Sequence, residues 1–190
     1  MEEKINSWVN RIDEISNYAL TNFSDFDNNQ WNFRPASGNW SAGEVLDHLI
    51  TTNDRYLEQI DEIIRNPEKK PWVSLIPGFS DFFGKRLINI LKEKNGKKYK
   101  AIKKFRPHPD EFSNRVLNTF VSHQNELRDF IKKVEPEMVN TLVIPSPISS
   151  LIPIRLTDAF EALVLHEGRH MRQIDRLVSH PLFPQLKMSS

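Results

Sequence analysis

The sequence predicts an all-α protein, an antiparallel four-helix bundle with a long connection between its second and third helices. Three observations lead there. Four long segments repeat their apolar residues at three- and four-residue steps, the spacing of one face of an α-helix. The 12 prolines, twice the 6 glycines, mark the connections, where helices must stop. No stretch reads convincingly as a strand, so each apolar stripe must be buried against another helix. A chain of 190 residues, 38% hydrophobic and 27% charged, can enclose such a core without covalent staples. One domain over 1–190 is expected, since no internal repeat or low-complexity tract divides it.

The first helix is predicted over residues 5–23, where Ile5, Trp8, Ile12, Ile15, Ala19 and Phe23 share a face. Residues 25–39, rich in Asp, Asn, Pro and Gly, read as a loop. Ser41 fits the N-cap of the second helix, with Glu44 as its capping-box partner and Trp40 placed to staple against Val45. That helix carries Val45, Leu49, Thr52, Tyr56, Ile60 and Ile63 until Pro67 and Pro71 stop it. In the long connection, Phe79, Phe82, Phe83, Leu87, Ile90 and Leu91 suggest a short amphipathic helix ending near Asn95-Gly96. A third long helix is expected over 110–134, on Val116, Phe120, Leu127, Ile131 and Val134. A proline-rich connection over 145–153 precedes the fourth. Asp158 and Glu161 form a candidate capping box for it, and Phe160, Leu163, Ile174 and Leu177 its core face.

Composition narrows the chemistry. There is no cysteine, which excludes disulfides, thiolate metal sites and a cysteine nucleophile, and any metal must use nitrogen or oxygen ligands. The acidic start Met1-Glu2-Glu3-Lys4 is unlike a signal peptide, and no apolar run approaches the roughly 18 residues of a membrane span. A cytoplasmic location is the simplest expectation. Residues 85–106 hold ten Lys and Arg against the single acid Glu93, a net charge of about +9, and leave about −8 for the rest of the chain. This segment could attract an anionic cofactor, a membrane surface or nucleic acid, although a solvated loop is the simpler reading. No helix-turn-helix or base-stacking pattern accompanies it, so no nucleic-acid partner is expected.

The chemistry-bearing pattern is a set of histidines. His166 and His170 are four residues apart, so their rings project from one helical face, and the series Leu163, His166, His170, Ile174, Leu177 directs that face inward. His48 flanks the stripe of a separate helix and supplies a third imidazole. Three imidazoles could hold a divalent ion, zinc or nickel foremost, and leave a position open for water or a small-molecule substrate. Taken singly, each is more often a satisfied core or surface histidine, and the joint placement is what argues for metal.

His166-Glu167-Gly168-Arg169-His170 also matches the H-E-x-x-H helix of zinc peptidases, with Glu167 as the base. Gln173 and Arg176 stand where the extended pattern needs Gly and His, and no later glutamate can serve as third ligand. A di-iron bundle needs two Glu-x-x-His pairs, and Glu167 with His170 supplies one. Glu44 could orient His48, although capping already explains it. Arg169, Arg172 and Gln173 could bind an anionic substrate near the metal, although a solvated face is the simpler reading; His123 could face the interior as an extra ligand or hydrogen-bond partner, and His108 and His180 sit in connections.

Asn32-Phe33-Arg34-Pro35 followed by the run from Asn39-Trp40-Ser41 to Asp47-His48-Leu49 resembles the opening signature of the DinB-like superfamily of damage-inducible bacterial proteins. His166 to Ile174 resembles its second signature, and Phe105-Arg106-Pro107 also looks familiar. The resemblance implies a four-helix bundle and carries the family's three metal ligands onto His48, His166 and His170. It also implies a range of activities: S-transferases that use bacillithiol or mycothiol, a mycothiol-dependent isomerase, proposed hydrolases, and members without known activity. The expected function is a metal-dependent S-transferase with a low-molecular-weight thiol as its cofactor. The alternatives are a metal-dependent hydrolase and a non-catalytic, metal-stabilised stress-response binding module. A homodimer is a reasonable expectation for exposed bundle faces.

Overall fold

The computed structural model describes residues 1–92 and 101–185. The expected end of the short helix near Asn95-Gly96 and the middle of the basic segment lie outside the described residues. Among the described residues, helices α1 (Glu2–Phe23), α2 (Asn28–Asn32), α3 (Ala42–Arg65), α4 (Phe79–Lys92), α5 (Arg115–Lys133) and α6 (Pro136–Thr141) precede the hairpin strands β1 (Val143–Ser146) and β2 (Ser149–Arg155). Helix α7 (Leu156–Val178) follows, and a short 3₁₀ turn, Trp72–Leu75, leads into α4. The fold is all-α apart from the hairpin.

The four long helices form the bundle. Each of α1 and α3 packs against both α5 and α7. Side-chain pairs give the directions: Arg128 with Asp13 and Asn114 with Ser24 make α1 antiparallel to α5, while His48 with His170 and Asn53 with Glu167 set α3 near α7. Trp8 bonds Glu161 and Tyr18 bonds Asp175, so the neighbours α1 and α7 run the same way, whereas the sequence predicts a bundle antiparallel throughout. The long connection after α3 is what returns the chain so that α5 can run beside α3.

Two apolar clusters fill the interior. One gathers Ile12, Ile60, Leu127, Phe160 and Leu163, and the other Phe23, Trp31, Leu46, Leu49, Phe120 and Ile174. Burying each such side chain contributes roughly 1.5–3 kcal/mol. Between the clusters lies a polar layer. Asn53 falls between Leu49 and Tyr56, Gln124 between Phe120 and Leu127, and Glu167 between Leu163 and Met171, and all three are buried. The amides of Asn53 and Gln124 each donate to Glu167 Oε1, both at 2.7 Å. Burial pushes the Glu167 carboxyl up to about 7, against the lowering effect of those two amides.

Several boundaries depart from the sequence expectation, each for a local reason. The loop over 25–39 contains α2, nucleated by a capping box of Asp27 and Gln30, which seats Trp31 fully in the core. The third long helix begins at Arg115, not Asp110, because the backbone of Phe112 is engaged by Asn32: its N–H donates to Asn32 Oδ1 and its carbonyl accepts from Asn32 Nδ2. The Asp158/Glu161 capping box does not form. β2 runs straight into α7, which starts at Leu156 with Arg155 in the cap position, and the Leu156 N–H donates to the Leu142 carbonyl instead. The proline-rich connection is itself the hairpin, with Pro145 opposite Pro153. Two prolines can face each other only at a non-hydrogen-bonded pair, where no ladder bond is lost.

Candidate metal centre

The start of α3 is fixed as its sequence demands. Ser41 Oγ accepts from the Glu44 N–H, and Glu44 Oε2 accepts from the Ser41 N–H at 2.7 Å. Arg34 pairs with the same carboxylate at 2.7 Å, so Glu44 serves the cap and no His48 bond is formed by it. The cap sets the rotation of α3 about its axis, and with it the direction of His48 two turns on.

His48, His166 and His170 come together. Their ligand nitrogens all lie within 4.8 Å of one another. His166 Nε2 is 3.4 Å from His48 Nε2 and 3.0 Å from His170 Nε2. An ion with nitrogen bonds of roughly 2.0–2.1 Å in tetrahedral geometry holds its ligands about 3.3–3.4 Å apart, so this triangle suits one ion. His48 is 5% and His170 9% exposed.

The outward nitrogens explain why the inward ones are bare. The His48 Nδ1–H donates to the Phe105 carbonyl, and the His170 Nδ1–H donates to Gln173 Oε1 at 2.9 Å. Each bond places the ring proton on Nδ1 and leaves the Nε2 lone pair facing the other imidazoles. Three mutually facing nitrogens without enough protons between them are poorly satisfied by each other and well satisfied by a cation. Burial pushes the His166 imidazole down to about 3, with His48 and Arg169 adding to the effect. His170 is driven well below its ordinary value, and His48 is lowered, in each case first by burial. In each case burial favours the neutral imidazole, the form in which a histidine can bind a metal ion. The donor set, the tautomers and the spacing fit a divalent transition ion.

The chain around the triangle is arranged to hold it. Asp47 Oδ2 accepts from the His108 N–H at 2.7 Å, which clips the 105–108 segment onto α3 and brings the Phe105 carbonyl to His48. Trp40 lies with its ring 4.7 Å from that of His48 and stacks on His170 at 6.3 Å, an apolar wall on one side of the nitrogens.

The other residues singled out in the sequence lie elsewhere. Glu167 has its bonds to Asn53 and Gln124 in the polar layer, not at the histidines. His123 bonds Asp54 at 2.8 Å, His108 pairs with Asp47, and His180 lies against Phe33. Arg169 donates to the Ile90 carbonyl and so ties α7 to α4. Gln173, read as part of a solvated face, is instead the anchor of His170. Phe105 was recognised only as part of a familiar motif, and Asn53 and Gln124 were missed, although their polar side chains on apolar stripes were a visible signal.

A family model described as the DinB superfamily matches residues 12–174. No curated protein and no solved structure matches the chain.

Proposed function

The chain belongs to the DinB superfamily, and on that premise we propose that His48, His166 and His170 hold one divalent transition ion, zinc or nickel, at the centre of a thiol-dependent S-transferase. The observation that carries the reading is the convergence of three Nε2 atoms, two of them with their ring protons anchored on the far side. When bound, the ion supplies Lewis acidity that lowers the pKa of a coordinated thiol and favours its thiolate.

The chain's own residues bind and orient. His48 and His170 are kept neutral and rotationally fixed by the Phe105 carbonyl and Gln173, and Trp40 shields one side of the centre from water. A low-molecular-weight thiol of the bacillithiol type suits such a site, because its sulfur brings the nucleophile that a cysteine-free chain lacks. The hydrolase reading is weaker, since it needs a carboxylate to manage a water proton and Glu167 is engaged by two amides in the polar layer. A second reading is favoured by the ligands' distribution over α3 and α7: a brace between two helices without turnover.

The test begins with elemental analysis of protein purified without an affinity tag, where one ion per chain is expected. Calorimetric titration with a bacillithiol-like thiol should then show binding that disappears after metal removal and in His166→Ala. Stoichiometric metal without thiol binding or turnover of electrophiles would leave the brace reading standing, and absence of any ion would sink both.

A further inference from the structure

We propose that the turn before α4 and the exposed face of α4 form a docking surface for an anionic lipid bilayer. Trp72 is 68% and Leu75 71% exposed on the turn, and Phe79 at 40% and Phe82 at 61% continue the same surface onto the helix. Large apolar side chains this exposed, four within eleven residues, are costly in water and mark a contact surface.

The occupant follows from charge. Along the exposed face of α4 the aromatic residues give way, one turn further on, to Lys85 and Arg86, and a cleft between them is lined by Phe82 and Asn89. Neither cation is within ion-pair distance of a carboxylate among the described residues; Asp81 on the same helix pairs with Arg155, and Lys85 acts on Asp81 and Asp158 only through space. Exposed rings followed along one face by cations can seat the rings at the acyl boundary and the cations among anionic headgroups. A symmetric contact with a second copy would bring the same cations of both chains into one interface, which disfavours that occupant. No helix of the described residues is long and apolar enough to cross the bilayer, so the contact is peripheral.

The test is flotation of the full chain with vesicles of phosphatidylcholine alone and of phosphatidylcholine mixed with phosphatidylglycerol. Binding to the mixed vesicles and not to the neutral ones is expected. Lys85→Gln with Arg86→Gln should weaken it roughly 25-fold, about five-fold per cation. Trp72→Ser with Phe82→Ser should abolish it while the far-UV circular dichroism stays unchanged, both positions being exposed. Equal binding to both vesicles, no binding to either, or variants that bind like the parent would overturn the proposal. So would a dimer in sedimentation that the Trp72→Ser, Phe82→Ser pair dissociates, which assigns the face to a second copy.

Discussion

Replacing Gln173 with alanine tests the logic of the histidine triangle without touching a ligand. Gln173 Oε1 is 2.9 Å from His170 Nδ1 and is the acceptor that fixes both the tautomer and the angle of that ring. Loss of such a partner lowers metal affinity about 10–100-fold. Two features place this case near the lower end. Gln173 is partly exposed, so water can take over as acceptor, and His48 keeps its own anchor on the Phe105 carbonyl. The expected loss is therefore about tenfold, or about 1.4 kcal/mol. Gln173→Glu should restore the affinity or exceed it, because a carboxylate holds the same proton and makes the imidazole more basic. Competition against a chelating dye reads the dissociation constant, and a thermal melt of metal-free protein checks that α7 is intact. An alanine variant within twofold of the parent, or a glutamate variant as weak as alanine, would refute the positioning role. A parent that binds no ion would refute the metal reading instead.

Three further outcomes are expected. Metal at about a hundred times its dissociation constant should stabilise the fold by about 2.7 kcal/mol, a rise in Tm of roughly 5–11 °C, and His48→Ala should remove that rise; equal rises in parent and variant would show that the ion binds elsewhere. Glu167→Ala leaves the buried amides of Asn53 and Gln124 unpaired beside a new cavity, so urea unfolding should show a loss of about 3–5 kcal/mol, whereas a loss under about 1 kcal/mol would mean the polar layer is dispensable. Burial pushes the Tyr56 phenol up to about 12 in the fold, above its ordinary 10.0. The unfolded chain ionises first, so this stability is intact below pH 10 and falls by roughly 3 kcal/mol between pH 10 and 12. Tyr56→Phe should flatten the decline in that window, and an unchanged slope would contradict it.

How much of this could be read in the sequence depends on which atoms carry each feature. His48, His166 and His170 were legible because an imidazole on an apolar helical stripe combines residue type with direction. The bundle was legible for the same reason, since four stripes leave few ways of burying themselves. Gln173 was not, because a polar residue three positions after His170 looks the same whether it meets water or a ring nitrogen. The hairpin was hidden by Pro145 and Pro153, which argue against strands until their mutual opposition is seen. The start of α7 was misplaced because a capping box is a local pattern, and here the first N–H is satisfied from the hairpin, by Leu142. Phe79 and Phe82 were read as part of a helix face and not as an exposed surface, since exposure belongs to the packed molecule.

The Phe105 carbonyl has a consequence for how this centre can change over generations. An acceptor made of main chain is carried by every amino acid, so a replacement at position 105 does not remove the acceptor itself and acts on His48 only through the seating of the buried Phe105 ring. What can detach it is a change in chain length or course between Ala101 and His108, where Asp47 holds the segment in place. Insertions, deletions and altered turns in that stretch, more than substitutions, are the genetic events expected to retune the centre.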